Sequence, residues 1–320
     1  MRTITVAAVQ MSCDLCARDS NLAKATKFAE QAAEQGAVLI LYPELMSGGY
    51  TLSESIWDTA EPFDGPTLRW MKVLAARLGT YIGTTFLEAE GEHFYNSFVL
   101  VGPSGQVVGR VRKCPPASFE AYFFTGGSGR HWFDTPLGRV GVGICFENAL
   151  YARYSEIHDA GVDLYLRPFS GASFEAKFPI RQKDVDLIST GLKVGTAETA
   201  KLMGIPVVMA NKVGRLKTTL PGGFPSQDIE FPGYSTIADS DGSLLAQLGP
   251  GQEGVAVGTV TLDPNRKAPT KVPALHGPWT TKMPWWAGIW TLTQRFGERS
   301  YRKSERRRVK ARRVTVTDAY

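Results

Sequence analysis

The stretch Val140-Gly141-Val142-Gly143-Ile144-Cys145-Phe146-Glu147-Asn148 sets the frame for the whole chain. Its first five residues form an apolar run, which predicts a buried β-strand that ends at Cys145. A strand end holds a nucleophile rigidly, and the turn after it can direct a backbone N–H at a developing oxyanion. A lone cysteine is also compatible with a small buried core residue. The residues upstream have to decide between these two interpretations.

Two further residues with reactive chemistry follow apolar, strand-like runs. Residues 37–42 end at Pro43-Glu44-Leu45, and the predicted strand 106–112 is followed by Lys113. A carboxylate directly after a buried strand is costly unless it is paired or used in chemistry. Glu44 and Lys113 alone are compatible with a structural ion pair. A glutamate, a lysine and a cysteine nevertheless occur in this order, each at the end of a predicted strand.

This order resembles the nitrilase, or carbon–nitrogen hydrolase, superfamily. The resemblance covers roughly residues 4–265, and the joint order and spacing of its pieces are specific although each piece alone is weak. The further pieces are Lys113-Cys114-Pro115-Pro116 to Phe119-Glu120, Asn211-Lys212-Val213-Gly214, and Phe231-Pro232-Gly233-Tyr234-Ser235-Thr236-Ile237 to Asp241-Gly242.

The resemblance implies a role for each of four residues. Cys145 is the nucleophile, and Glu44 is the base that takes its proton and later activates water. Lys113, together with the backbone N–H of the residue after the nucleophile, stabilises the tetrahedral oxyanion. Glu120 is the second glutamate, which holds the lysine and helps to position substrate or water.

Two departures from the family pattern concern the surroundings of Glu120. The family often has arginine two residues after this glutamate, where this chain has Tyr122, and the later Pro-Gly is here Gly126-Gly127. These departures leave open which residues hold Glu120 in place.

Strands that alternate with helices predict an α/β layered protein. Predicted strands cover residues 3–10, 37–42, 81–87, 97–102, 106–112, 131–133, 140–144, 162–166, 205–211, 236–238, 244–248 and 254–262, and predicted helices cover 22–33, 66–78, 151–160 and 183–203. Periodicity alone leaves a doubly wound parallel sheet and a two-sheet sandwich undecided. The resemblance implies the second: an α-β-β-α sandwich of two facing β-sheets with outer helices, here with a C-terminal extension. It also implies a homodimer or a higher homo-oligomer.

We expect two regions, a carbon–nitrogen hydrolase domain over residues 1–278 and a Trp- and Arg-rich extension over 279–320. The extension contains Trp279, Trp285, Trp286 and Trp290. Residues 295–313 contain ten Lys/Arg and two Glu, a net charge of +8, so the remainder of this +5 chain carries −3. The extension is expected to be a solvated tail or an arm packed across a dimer interface. Nucleic acid or a membrane surface would use the same Trp and Arg chemistry, but neither partner is expected.

Composition and cysteine use narrow the class of protein. Hydrophobic residues make up 43% of the chain and charged residues 21%, as in a soluble globular protein. There is no apolar run of about 18 residues, the predicted strand at Thr3 leaves no room for a signal peptide, and four cysteines do not form a disulfide scaffold. We therefore expect a cytoplasmic protein. Cys13-Asp14-Leu15-Cys16 could be a redox or zinc motif, but without a second such pair an ordinary loop is the preferred interpretation.

The pocket walls can be predicted from position along the chain. The candidate substrate-binding residues follow strand ends or lie beside the nucleophile: Tyr50, Phe146, Asn148, Arg167, Phe169 and Ser170. Arg167 could hold a substrate carboxylate, cap the adjacent helix or pair with Glu147. Asn148 could be no more than the N-cap of the helix that starts at Tyr151.

These observations predict a thiol hydrolase without metal or cofactor. It would cleave the C–N bond of a small amide or N-carbamoyl compound through a Cys145 thioester and release ammonia or an amine. A nitrilase is the first alternative, since Glu147-Asn148 is nitrilase-like whereas Pro43-Glu44-Leu45 is amidase-like. An acyl or amide transferase, or a protein that binds through its tail, is the second. A Cys–His hydrolase is disfavoured because none of the four histidines lies in a local motif with Cys145.

Overall fold

The computed structural model of the chain describes residues 1–174, 176, 180–263, 265, 276–284 and 287–317. Trp285 and Trp286 lie outside these residues. Within the described part of the chain the strands are β1 Arg2–Gln10, β2 Leu39–Leu41, β3 Tyr81–Glu90, β4 His93–Val101, β5 Val107–Arg112, β6 Trp132–Thr135, β7 Gly138–Val142, β8 Leu164–Pro168, β9 Ser173–Phe174, β10 Val207–Ala210, β11 Val213–Thr218, β12 Gln227–Pro232, β13 Thr236–Ala238, β14 Leu244–Gln247 and β15 Gly254–Leu262. The helices are α1 Arg18–Glu34, α2 Pro66–Leu78, α3 Tyr151–Asp159, α4 Gln182–Met203, α5 Ala287–Lys303 and α6 Glu305–Thr317.

The described strands form two six-stranded sheets and one small sheet. The first sheet has the order β15-β1-β2-β3-β4-β5, and the second has the order β14-β13-β10-β8-β7-β6. Strands β11, β12 and β9 form the small sheet. In the first large sheet β1, β2 and β3 are parallel, and in the second β7, β8 and β10 are parallel.

Alternation along the strands explains the layers. On β1, Val6 and Ala8 point into the core between the two sheets, whereas Ala7 and Val9 pack against the outer helices. The inner layer joins Leu39 and Leu41 of the first sheet to the apolar side chains of β7, β8 and β10. Helices α1 and α2 cover the outer face of the first sheet, and α3 and α4 cover that of the second. The predicted α-β-β-α sandwich is therefore confirmed.

The hairpin of β3 and β4 is longer than predicted. The predicted strands stop at residue 87 and restart at residue 97, because acidic and polar residues interrupt the apolar pattern there. Glu88 nevertheless lies in the sheet, fully buried, because Arg110 and Arg112 of β5 neutralise its carboxylate. Two cross-strand arginines thus make a buried glutamate tolerable.

The C-terminal extension packs on its own chain as two helices. Helix α5 lies against the 3₁₀ turn Ser118–Tyr122, where the Thr293 and Ser118 hydroxyls are 2.7 Å apart. Helix α6 lies on β3 and β4, with Ala311 fully buried near Phe94. The expectation of a solvated tail is therefore wrong for the described residues of α5 and α6. Among the described residues no helix is long and apolar enough to cross a membrane.

Candidate active site

Cys145 begins a 3₁₀ turn, Cys145–Ala149, directly beyond β7. Its φ of +47° lies in the left-handed region that non-glycine residues rarely adopt. The turn is held by Asn148, whose side-chain amide donates to the carbonyl oxygens of Gly143 at 2.7 Å and Cys145 at 3.0 Å. A strained backbone fixed in this way is typical of functional sites. The predicted strand ended at residue 144, two residues beyond the end of β7.

Glu44 is fully buried just beyond the carboxyl end of β2, and only one of its oxygens is engaged. Glu44 Oε1 accepts hydrogen bonds from Lys113 Nζ at 2.7 Å and from the Asn96 side-chain amide at 2.7 Å. Glu44 Oε2 is buried and accepts no hydrogen bond from the described residues. The carboxylate is thus held rigidly through one oxygen, and the other oxygen is left to take a proton.

Lys113 is fully buried between two carboxylates. Its Nζ lies 2.7 Å from Glu44 Oε1 and 2.7 Å from Glu120 Oε2. Burial alone would lower the pKa of Lys113, but the carboxylates of Glu120 and Glu44 outweigh burial and raise it. Lys113 is therefore a fixed cation between two carboxylates, and it releases its proton poorly.

Glu120 lies in the 3₁₀ turn Ser118–Tyr122, and its carboxylate has three partners. Its carboxylate accepts hydrogen bonds from the Tyr50 hydroxyl at 2.9 Å and the Ala117 amide at 2.7 Å, in addition to Lys113. Burial raises the pKa of Glu120, Lys113 lowers it, and Glu44 raises it again, with a net upward shift. With Tyr122 in place of the family's arginine, the sequence left open which residues hold Glu120. In the structure Tyr50 and Ala117 hold it. Tyr122 instead stacks near Phe119 and contacts α5.

The Cys145 thiol is kept protonated by its surroundings. Burial raises its pKa well above the usual thiol value, and the negative charge of Glu44 raises it further. Lys113 and a hydrogen bond from the Ser170 backbone N–H act in the opposite direction without overcoming this rise. A thiol of this kind needs a base at the moment of attack. Glu44 is the charged group that acts most strongly on it.

Three of the predicted wall residues lie against these groups. Phe169 packs against Cys145, and its carbonyl accepts the Glu44 backbone N–H at 3.2 Å. The Ser170 hydroxyl donates to the Glu44 carbonyl oxygen at 3.2 Å. Tyr50 contacts Glu120, as described above. Phe146 lies edge-on to Trp279 and Trp290, so the C-terminal region lines the surroundings of the nucleophile.

Asn148 and Arg167 have partners on their own chain. Arg167 Nε donates to Asn148 Oδ1 at 3.0 Å, and its Nη1 donates to the Gly195 carbonyl of α4 at 3.1 Å. The suggested pair of Arg167 with Glu147 is wrong, because the guanidinium of Arg153 takes that place at 2.9 Å. The suggested N-cap role of Asn148 is also wrong, since Leu150 precedes α3 without a side-chain cap.

Glu147 joins the lysine loop to the nucleophile turn, which the sequence did not indicate. It is fully buried and accepts the Cys114 amide at 2.8 Å and the Ile144 amide at 2.7 Å. His131 Nε2 also lies 2.8 Å away. Burial alone would raise the pKa of Glu147, but His131 and Arg153 reverse the effect and lower it. One carboxylate thus fixes the backbones of both loops.

Lys212 is a second buried lysine near the candidate nucleophile. It donates to the Leu45 carbonyl oxygen at 3.2 Å, lies 5.7 Å from the Tyr50 ring centre, and interacts electrostatically with Glu44 and Cys145. Burial lowers the pKa of Lys212. The motif Asn211-Lys212-Val213-Gly214 marked this position without indicating a role. Asn96 could not be identified from the sequence. It lies inside a strand, where polar residues commonly alternate with apolar ones, so nothing marks it as a functional residue.

Cys13 and Cys16 lie in the loop between β1 and α1. The two cysteines are not linked by a disulfide. Burial raises the pKa of both thiols, the reverse of the lowered pKa typical of a reactive CxxC thiol. Among the described residues no group of three His, Cys, Asp or Glu side chains is arranged to hold a metal ion.

A cysteine, two carboxylates and a lysine meeting at the carboxyl ends of two facing sheets are the features of a nitrilase-type hydrolase. The sequence profile of the family described as Carbon-nitrogen hydrolase matches residues 5–270. The chain therefore belongs to the carbon–nitrogen hydrolase family, which confirms the resemblance to the nitrilase superfamily.

Curated relatives have related activities. The chain is 29% identical over 277 residues to an N-carbamoylputrescine amidase of Solanum lycopersicum, covering 82% of this chain and 87% of the relative. It is 28% identical over 263 residues to a nitrilase of Pyrococcus abyssi (strain GE5 / Orsay), covering 81% of this chain and 90% of the relative. These relatives support a hydrolase acting on C–N bonds.

Solved structures share the fold. A carbon–nitrogen hydrolase from Helicobacter pylori G27 superposes with a TM-score of 0.71 at 20% identity, covering 82% of this chain and 90% of that one. An amidase from Nesterenkonia sp. superposes with a TM-score of 0.64 at 20% identity, covering 81% and 91%. Helices α5 and α6 lie beyond the residues that the family profile matches.

Proposed function

We propose that the protein is a thiol hydrolase that cleaves the C–N bond of a small amide or N-carbamoyl compound through a thioester on Cys145. One observation carries this proposal. Glu44 holds Lys113 and Asn96 through Oε1, while its buried Oε2 accepts no hydrogen bond from the described residues and is available to a proton. The N-carbamoylputrescine amidase relative supports the substrate class.

In the first half of the reaction the Cys145 sulfur attacks the carbonyl carbon of the substrate. The thiol proton passes to Glu44 Oε2, and the carbonyl π electrons move to oxygen. Lys113 and the backbone N–H of Phe146 stabilise the oxyanion. Removal of one such donor typically costs about 100- to 1,000-fold in rate. When the intermediate collapses, the C–N bond breaks and Glu44 returns the proton to the nitrogen, which leaves as ammonia or an amine.

In the second half a water molecule attacks the thioester carbonyl. Glu44 accepts a proton from that water, and the same two donors stabilise the second oxyanion. The C–S bond then breaks, and Glu44 returns the proton to the Cys145 sulfur as the carboxylic acid, or carbamic acid for a carbamoyl substrate, is released. One carboxylate thus serves as base and acid in both halves.

Glu120 and its partners act as positioning groups in this scheme. Glu120 and Glu44 hold Lys113 from two sides, so the ammonium cannot move away from the oxyanion. The Tyr50 hydroxyl in turn fixes Glu120. Preorganised charge of this kind acts without reorientation at the transition state.

A nitrilase is the second candidate, and the relative from Pyrococcus abyssi favours it. Attack on a nitrile gives a thioimidate nitrogen that must receive a proton. Lys113 is poorly suited to supply it, because the two carboxylates raise its pKa. Glu44, once its Oε2 has taken the thiol proton of Cys145, is the better proton donor for this route.

The decisive experiment is an ammonia-release screen with matched pairs that carry one acyl skeleton as amide and as nitrile, together with N-carbamoyl compounds. We expect larger kcat/KM for the amide or carbamoyl member, and no release by Cys145→Ala. A preference of tenfold or more for the nitrile, about 1.4 kcal/mol at the transition state, would replace the amidase proposal with the nitrilase. No ammonia or amine from any compound, with the wild-type chain folded, would contradict the hydrolase proposal.

A further inference from the structure

Helix α5 carries an exposed apolar face that nothing in the described chain covers. Ile289, Leu292 and Phe296 recur at helical spacing and are 42%, 54% and 63% exposed. Phe224, which belongs to the separate loop before β12, is 43% exposed and joins them. These four side chains, called here the α5 patch, line an open groove of about 640 Å³ together with Tyr122. Contiguous exposed apolar side chains of this kind mark an interaction surface.

The cations beside the α5 patch are free, and those of α6 are not. Three cations of α6 pair with carboxylates that lie outside the C-terminal extension: Arg306 with Glu54, Lys310 with Asp58, and Arg312 with Glu92. Within α6, Arg308 pairs with Glu305. Arg295, Arg299 and Lys303 of α5 are exposed and contact no acidic side chain in the described part of the chain. Arg299 and Lys303 line the same groove as the α5 patch.

We propose that the α5 patch and its three free cations dock the protein on an anionic lipid surface. A helix that lies in the membrane interface needs an apolar face to insert and basic residues beside it to meet lipid phosphates. The α5 patch supplies the first, and Arg295, Arg299 and Lys303 supply the second. Because the α6 cations are paired, these three exposed cations supply the positive charge that orients this side toward an anionic surface.

From the sequence alone, no membrane is expected as a partner. The sequence shows the basic run but not which cations the body neutralises or which apolar side chains stay outside. RNA would also attract the free cations, but it offers no apolar phase for Leu292 and Phe296. A second copy of this chain would meet the same three cations, which repel each other across a two-fold contact. An anionic lipid surface offers an apolar phase for the α5 patch and phosphates for the three cations.

The test is co-sedimentation of the full chain with phosphatidylcholine vesicles that contain or lack phosphatidylserine. We expect binding only with phosphatidylserine, weakened by salt because the Debye length shortens. Leu292→Glu/Phe296→Glu should abolish binding. Arg295→Gln/Arg299→Gln/Lys303→Gln should weaken partition on the order of 100-fold.

Two matched controls distinguish binding through the α5 patch from nonspecific adsorption to vesicles. Val73→Glu changes an apolar side chain of α2 that is 69% exposed, and Arg306→Gln/Arg312→Gln removes two cations that the body already pairs. Both should bind vesicles like the wild type. Circular dichroism and the unfolding midpoint of every variant verify folding, so that lost binding is not lost structure.

Several results would overturn the proposal. It fails if the full chain does not sediment with phosphatidylserine vesicles, or if Leu292→Glu/Phe296→Glu leaves sedimentation unchanged. If the full chain binds RNA but not vesicles, and Leu292→Glu/Phe296→Glu abolishes the RNA binding, the patch is a nucleic-acid site. A dimer that Leu292→Glu/Phe296→Glu converts to monomer, again without vesicle binding, would assign it to a second copy.

Discussion

Lys113 Nζ lies 2.7 Å from Glu44 Oε1, whereas Glu44 Oε2 accepts no hydrogen bond from any residue that the structure describes. The two oxygens of one buried carboxylate therefore have different surroundings. One holds the Lys113 cation, and in the proposed mechanism the other exchanges a proton with Cys145. This division makes the effects of single substitutions distinguishable.

Cys145 should be the only cysteine that turnover requires. Cys145→Ala removes the nucleophile, so ammonia release should fall to background while circular dichroism stays unchanged. Cys13→Ser and Cys16→Ser should keep the wild-type rate, because both thiols lie outside the candidate site and have raised pKa values. Loss of turnover by a folded Cys13→Ser or Cys16→Ser variant would restore the redox or metal interpretation.

Glu44→Gln should separate turnover from thiol ionisation. The amide cannot accept a proton, so kcat should fall by about 100- to 10,000-fold. After burial, the charge of Glu44 is the main factor that raises the pKa of Cys145, so its removal should lower that pKa. The thiolate would then form at a lower pH although the enzyme is impaired.

The measurement is the ultraviolet thiolate absorbance as a function of pH, with the Cys145→Ala form of each background subtracted. An unchanged or higher Cys145 pKa in Glu44→Gln would show that the Glu44 charge does not act on the thiol. Near-normal turnover in Glu44→Gln would remove Glu44 from the mechanism.

Lys113→Met should destabilise the fold in a pH-dependent way. It leaves two buried carboxylates without their cation, which typically costs about 3–5 kcal/mol. The pKa of Glu120 is already raised by burial and should rise further. A carboxyl with a raised folded-state pKa favours folding fully below its unfolded pKa, and this stability is lost as pH rises through the folded pKa. The deficit should therefore be smaller at mildly acidic pH than at neutral pH.

Urea unfolding at several pH values measures this effect. Lys24→Met is the matched control, because Lys24 pairs with Glu253 in a partly exposed ion pair 2.8 Å apart. Such a pair contributes about 0–1 kcal/mol. A Lys113→Met deficit that does not shrink toward acidic pH would contradict the assignment of the buried charge.

Gly297→Ala should reduce activity through helix α5. A Cβ at this position would lie 2.8 Å from Tyr122 Cδ2 and 2.9 Å from the Ala121 carbonyl carbon. Helix α5 would have to move from the turn that carries Glu120, and kcat should fall together with the unfolding midpoint. Gly288→Ala on the same helix meets no atom within 4 Å. It should leave both kcat and the unfolding midpoint close to those of the wild type, because Gly288 is at the first turn of the helix. A wild-type kcat in Gly297→Ala would make α5 a stabilising element only.

The resemblance to the nitrilase superfamily, carried by a glutamate, a lysine and a cysteine that each follow a predicted strand, implied that Glu44, Lys113 and Cys145 belong to one site, although Cys145 lies on a different sheet from the other two. The hydrogen-bond partners could not be predicted in the same way. Asn96 is 52 residues from Glu44, and nothing in its strand pattern points to a carboxylate. Such partners depend on tertiary position rather than on local pattern.

The C-terminal extension illustrates the same limit. Its net charge favoured a solvated tail. A charge count does not show which carboxylates elsewhere in the chain form ion pairs with its arginines. Arg312 meets Glu92, 220 residues away in the sequence. The Phe94 backbone N–H donates to the Tyr301 hydroxyl at 2.9 Å, which ties the extension to β4. Both contacts are long-range and invisible to composition.

Lys212→Met should impair catalysis without loss of stability at neutral pH. Leu45 follows Glu44 with a φ of +49°, its N–H donates to the Thr85 hydroxyl at 2.6 Å, and its carbonyl accepts Lys212 at 3.2 Å. Without that donor the strained segment after Glu44 can relax, and a small displacement of the base should lower kcat by about 10- to 100-fold.

The pH dependence of stability distinguishes Lys212 from an ordinary lysine. Burial lowers its pKa, so the wild type has full stability above the unfolded lysine pKa and loses stability as pH falls through the folded value. Lys212→Met lacks this loss and should be at least as stable as the wild type at neutral pH, with its advantage vanishing at alkaline pH. Lys217→Met, at an exposed position of β11, should change neither kcat nor the pH profile. A wild-type kcat in Lys212→Met would show that Lys212 does not position Glu44.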